Sequence, residues 1–273
     1  PNTVLKIYGK SICNDESFEY FSAIEELTSS EPVTITRVVL PNRLKELGEY
    51  AFLNWSELTS MNLPSTIEKI GNGALCGCGG IEKINIDNIS EIGKYAFALT
   101  DLKEIDGIWP MEEIKAGTFN GCKKLTNLNI DIEKVKSIEK YAFYACSELK
   151  EFDVKNVTEL GDFAFARCSG LKEFDMKNVT TIDGNCFNYC TGLKKVNLRN
   201  VTRLKVGAFD GCTGIDELDL RNVTTIDLWI CLDWTSNQKI IVPFSSTGNA
   251  PNGWSWKWNK FGNMKATIIY TDS

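Results

Sequence analysis

"GDFAFARCSGLKEFDMKNVTTI" runs from Gly161 to Ile182, and two near copies follow it: "DGNCFNYCTGLKKVNLRNVTRL" from Asp183 to Leu204 and "KVGAFDGCTGIDELDLRNVTTI" from Lys205 to Ile226. Anchored on one aliphatic residue, the pattern recurs at Leu47, Ile70, Ile92, Ile114, Ile138, Leu160, Ile182, Leu204 and Ile226, in steps of 22 to 24 residues. Five residues past an anchor stands a large apolar side chain: Phe52, Leu75, Phe97, Phe119, Phe143, Phe165, Phe187 or Phe209. Three residues later comes a cysteine in most copies, at Cys78, Cys122, Cys146, Cys168, Cys190 and Cys212. A fixed period in the twenties marks a solenoid, because one such unit cannot bury its apolar face alone and must stack on its neighbours.

The copy itself predicts the coil. In "LKEFDMK", Phe174 and Met176 alternate with Glu173, Asp175 and Lys177, the period-two signature of a strand with one face inward. "NVT" turns the chain. "FAFARC" fits a short helical or 3-10 turn on the opposite wall, with Phe165 and Cys168 three apart on one side. The expected fold class is an α/β repeat. One strand per coil builds a parallel sheet on the concave face, helical turns line the convex face, and both ends are capped. Helical turns are wider than strands, so the stack is expected to curve around the sheet.

Written as I-G-x-x-A-F-x-x-C-x-x-L-x-x-[IFL]-x-[IVLM], the pattern resembles the BspA-like leucine-rich repeats over eight copies from about Leu44 to Thr225. Departures are few: Trp55 and Thr100 stand for cysteine, Leu75 for phenylalanine, and the third copy lacks one residue. The resemblance implies a curved binding solenoid of secreted or cell-surface proteins, often an adhesin. It implies no catalysis and no cofactor.

Composition narrows the function further. The net charge of −6 and pI of about 5.0 argue against a nucleic-acid binder. The absence of histidine removes Ser-His and Cys-His nucleophile pairs and HExxH zinc sites. No stretch is apolar enough to span a membrane. No signal segment is visible, and Pro1 in place of Met points to a processed or trimmed start.

Three parts are expected: an N-terminal cap over residues 1–43, repeats over 44–238 and a C-terminal cap over 239–273. In the first, "SFEYFSAIEEL" (Ser17 to Leu27) has helical spacing and "VTITRVVLP" (Val33 to Pro41) reads as a strand. In the last, "IIVPF" and "ATIIY" read as strands.

Recurrent polar residues need weighing. Stacked cysteines should form a buried column of thiols too far apart for disulfides, and without histidine or paired CxxC spacing they do not suggest zinc. Asn88, Asn156, Asn178, Asn200 and Asn222 each begin an N-x-[ST] motif at one repeat position, where Asn and Thr suit a turn. Between the two apolar strand positions stand Asn62, Asn85, Asp106, Asn129, Asp153, Asp175, Asn197 and Asp219, always Asn or Asp. That column is either a hydrogen-bonded ladder alone or a ladder that also forms part of a binding face.

The candidate face comprises Glu151, Asp153, Lys155, Glu173, Asp175, Lys177, Lys195, Asn197, Arg199, Glu217, Asp219 and Arg221. The partner expected there is a protein or other host extracellular macromolecule. An alternative is a carbohydrate stacked on Trp254, Trp256 and Trp258, which would share one face of an extended "WSWKW"; the bland reading of these tryptophans is an end cap. A structural spacer is a further alternative.

Overall fold

The computed structural model describes residues 3–6, 35–40, 42–246, 248–255 and 265–271. Among the described residues coil stacks on coil, and every strand pairing is parallel. Each coil places the same repeat position above itself: Ile138 pairs with Leu160, Leu160 with Ile182, and Ile182 with Leu204.

The coil has two short strand walls, where one was expected. The anchor aliphatics lie on two-residue strands, such as Glu159–Leu160, Thr181–Ile182 and Arg203–Leu204, that form one ladder of six and another of three. The expected strand wall exists as well, at Lys83–Asn85, Glu173–Asp175, Lys195–Asn197 and Glu217–Asp219 among others. It is interrupted: Glu151 to Asp153 is not a strand, and the wall divides into separate sheets. Three-residue strands contribute few hydrogen bonds each, so other contacts must hold the coils there.

The third wall corrects the α/β reading, since no helix occurs among the described residues. "FAFARC" is a chain of turns. Alternate amides bond within the coil, Ala164 to Gly161 O and Cys168 to Phe165 O, both at 3.1 Å. The amides between them reach the next coil: Phe163 to Gly184 O, Phe165 to Cys186 O and Arg167 to Asn188 O, at 2.7–2.9 Å. A helix would direct all these donors to its own carbonyls. The next coil takes half of them, so the helix does not form. With hydrogen-bonded ladders on this wall too, the wide helical side expected to curve the stack is missing from the described residues.

Reaching the next coil requires left-handed backbone at two positions four residues apart, Phe163 and Arg167 in one coil and Asn185 and Tyr189 in the next. Such φ values are costly for residues with a Cβ, roughly 1–2 kcal/mol each. Glycine fills the position in several coils, and the bulky residue of the preceding coil then lies over it. A Cβ on Gly117 (φ 63°) would come within 2.1 Å of Tyr95 Cε1.

The interior is layered by residue type. Phe97, Phe119, Phe143, Phe165, Phe187 and Phe209 are fully buried and stack face to face, with centroids 5.1–5.7 Å apart. Beside them, each column thiol donates to the phenylalanine carbonyl of the preceding coil: Cys168 Sγ to Phe143 O at 3.0 Å, Cys190 Sγ to Phe165 O at 3.0 Å and Cys212 Sγ to Phe187 O at 2.9 Å. Cysteine is favoured there because it is small, apolar and still a donor. The nine described cysteines are all free. Burial pushes the Cys122 thiol up to about 12 and Cys168 well above its usual value. At the end of the column Trp234 takes the role over, its indole donating to Phe209 O at 3.0 Å.

At the ends, the expected helix from Ser17 to Leu27 lies outside the described residues. The strand Ile35–Val39 lies within the expected Val33 to Pro41 stretch and pairs with Thr3–Lys6 on one side and Ser60–Asn62 on the other. Lys239–Val242 and Thr267–Tyr270 are parallel partners, as the sequence suggested for strands.

Candidate interaction face

All twelve residues of the candidate face are exposed. Between them Phe152, Phe174, Val196 and Leu218 turn inward. The strand therefore separates a packed side from a charged one, and the apolar layer holds the charged columns in place.

The Asn/Asp column acts mainly inside each coil. Asp153 Oδ1 accepts the Lys155 amide at 2.8 Å, Asn197 Oδ1 the Arg199 amide at 3.1 Å and Asp219 Oδ1 the Arg221 amide at 3.0 Å. These are Asx turns, a reason for Asn or Asp at this place that does not involve the next coil. In the last four complete coils the side chains of the column touch once, Asn197 Nδ2 to Asp175 Oδ1 at 2.8 Å. The expected continuous ladder is corrected accordingly.

The ladder lies three residues further on. Asn156 donates to Glu133 O at 2.7 Å, Asn200 to Lys177 O at 2.6 Å and Asn222 to Arg199 O at 2.9 Å; Asn178 donates to Lys155 O in the same way. The threonines of the same motif also point to the preceding coil, as Thr224 Oγ1 does to Thr202 O at 3.1 Å. The N-x-T repeat thus links coil to coil. Its regular return was visible in the sequence; the direction of its bonds was not.

One consequence is electrostatic. Each cation of the column Lys155, Lys177, Arg199, Arg221 has its amide held by an Asx turn, its carbonyl held by an asparagine rung, or both, so its backbone is fixed while its side chain is exposed. Arg221 is paired with Asp219 at 2.6 Å, and that guanidinium holds the Asp219 carboxyl below its usual range. Among the described residues Lys155, Lys177 and Arg199 make no ion pair. On the opposite side of the strand, a cleft of about 580 Å³ lined by Glu151, Lys172 and Glu173 opens where the strand is interrupted.

The alternative stack is placed differently. Trp254 is only 6% exposed; its indole donates to Val223 O at 2.9 Å and its ring meets Phe244 edge-on. It pairs with Ile226 at the last rung of the anchor ladder, and its ring is buried there. Trp256 and Trp258 lie outside the described residues.

Sequence reasoning missed Asp210. It is 8% exposed, and its Oδ1 accepts the Leu232 amide at 2.7 Å. Burial raises its carboxyl to about 6, against the lowering effect of that hydrogen bond, with nearby Asp233 adding to the rise.

A family model described as the BspA type leucine rich repeat region matches residues 22–131 and 112–231. No curated protein matches the chain. Among solved structures, a leucine-rich repeat protein from Bacteroides ovatus ATCC 8483 is similar with a TM-score of 0.57 at 20% identity, over 98% of this chain and 84% of that one. A leucine rich cell surface protein from Faecalibacterium prausnitzii A2-165 gives a TM-score of 0.48 at 18% identity, over 88% and 80% of the two chains. The pneumococcal vaccine antigen PcpA gives 0.47 at 16% identity, over 88% and 75%. The first of these supports the solenoid fold.

Proposed function

Because the chain belongs to the BspA-type leucine-rich repeat family, we propose that it is a non-catalytic binding module, secreted or displayed at a cell surface, that holds a macromolecular partner along its strand wall. One observation carries the reading. Three exposed polar columns repeat at the spacing of the coils, on a wall whose inward side chains are packed. Such a surface is pre-organised, so a partner would not have to order it on binding. It offers charge and hydrogen bonds, with no large exposed apolar residue between Glu151 and Arg221 on these columns. Recognition therefore rests on electrostatic complementarity, and Arg199 and Arg221, which can grip carboxylates with two hydrogen bonds, are its natural centre.

The test is a pull-down from extracellular matrix and mucus with three proteins: the intact chain, the double variant Arg199→Ala/Arg221→Ala, and Trp256→Ala. The reading expects a captured partner that the double variant loses and that raised salt weakens. A partner lost only by the tryptophan change would move the site to the C-terminal end and overturn it.

A further inference from the structure

We propose that the turn edge carrying Lys155, Lys177, Arg199 and Arg221 seats a linear acidic polysaccharide that runs along the stack axis, with its anionic groups in step with the coils. The inference rests on the binding-face reading and names the chemistry of its partner.

Four observations lead there. First, the spacing is fixed. Each cation's backbone is bound within its own coil or to the next one: Asp153 takes the Lys155 amide, and the rung asparagines take the carbonyls of Lys155, Lys177 and Arg199. Parallel stacking puts successive coils about 4.8 Å apart. Second, the cations are available. Like charges at that spacing repel, yet Lys155, Lys177 and Arg199 make no ion pair among the described residues. Third, the edge is bounded. The same turn position carries Asp87, Ile108 and Asp131 in the earlier coils, so the cationic run begins at Lys155. Fourth, the neighbouring groups suit hydroxyls. The rung asparagines use their amide hydrogens on the stack, and among the described residues no group of the chain donates to the amide oxygens of these exposed side chains.

The geometry favours a sugar chain over other polyanions. An extended peptide advances about 3.3 Å per residue, so acidic side chains on one of its faces repeat every ~6.6 Å and fall out of step with the coils within two residues. Duplex DNA presents a charge every ~1.7 Å of its axis, far closer than the coil spacing, so its phosphates fall out of step with the cations. A linked pyranose ring is about as long as one coil spacing. Glu151 and Glu173, on the strand side of the cations, repel a polyanion from the middle of the wall and confine it to the turn edge.

Heparin and polygalacturonate serve as probes, with neutral dextran and polyglutamate beside them, and affinity of the full chain is measured from 50 to 300 mM salt. For four released counterions the logarithm of affinity should fall with the logarithm of salt at a slope of about −3. The variant K155A/K177A/R199A/R221A should lose at least tenfold and flatten that slope. The variant K150A/K172A/K194A removes lysines from just before the same wall segments, on the side away from the turn edge, and should lose less than threefold. Since all seven positions are exposed, a superimposable unfolding curve confirms that each variant is intact. Equal losses in the two variants, or polyglutamate binding as tightly as the acidic sugars, would overturn the proposal. If neither acidic sugar binds while the pull-down partner still depends on Arg199 and Arg221, the polysaccharide inference fails and the binding face stands. If the turn-edge substitutions alter neither, both fail.

Discussion

Phe97, Phe119, Phe143, Phe165, Phe187 and Phe209 occupy one buried column, and in the same six coils the strand turn carries Ile108, Asp131, Lys155, Lys177, Arg199 and Arg221. The two columns share a period and differ in how far it constrains them. Inside, each ring must meet its own kind 5.1–5.7 Å away, so one residue type is used again and again. At the turn the backbone is held by Asx bonds and asparagine rungs, and the side chain is free to vary. It changes from neutral and acidic to basic midway along the stack. The scaffold is uniform, and the information it displays is not.

The buried ring column should be the more sensitive of the two to substitution. Phe165→Ala leaves a cavity between two flanking rings and should cost about 3–5 kcal/mol in equilibrium unfolding. Because each coil supports the next, the loss should reach neighbouring repeats. A change below about 1 kcal/mol would mean that the ring column does not hold the stack.

Asp210 is an exception to the apolar interior, an acid placed inside, where earlier coils have Ala98 and Ala166. Its folded value of about 6 lies above the unfolded value near 3.9, so burial disfavours the charged form. Its contribution is therefore best at low pH and is lost as pH rises through about 6. At pH 7 the charged group should cost up to roughly 3 kcal/mol, and about 1 kcal/mol of that should return between pH 7 and pH 5. Asp210→Asn keeps an acceptor for the Leu232 amide. Measured as variant minus parent, its stabilisation should be largest at pH 7 and shrink towards pH 4. A difference independent of pH would show that Asp210 is not held as a disfavoured charge.

Between core and surface lies the rung asparagine. Asn178→Asp replaces an amide donor with a carboxylate facing the Lys155 carbonyl, and should cost about 1–3 kcal/mol. Chemical denaturation of this variant beside Asn178→Ala separates lost donation from added repulsion, the aspartate being the worse of the two. Equal, negligible effects would assign the rungs no part in stacking.

How much of this was legible depends on the direction of each contact. A phenylalanine that must touch the same phenylalanine one coil on leaves a period in the sequence, and so do the thiols that bond its carbonyl. "FAFARC" was harder, because Phe165 and Cys168 lie on one side of a helical turn as readily as of the turns found here. What separates the two is whether the amides bond inward or to the next coil. The available signal was glycine at both left-handed positions in three coils, Gly73 and Gly77, Gly117 and Gly121, Gly207 and Gly211. The second strand wall was hidden because two residues are too few to show alternation. On the candidate face, the invariant Asn/Asp position was visible, but its Asx bond points within the coil, and a ladder between coils would leave the same pattern.

The smallest expected effect on stability bears most directly on the separation of scaffold from display. In Arg199→Ala/Arg221→Ala the lost side chains are exposed, and solvent screens the ion pair with Asp219. The measurement is equilibrium unfolding of this double variant beside its capture of the partner. Separation predicts a stability change within about 1 kcal/mol together with loss of capture; a loss of several kcal/mol, or unchanged capture, would contradict it.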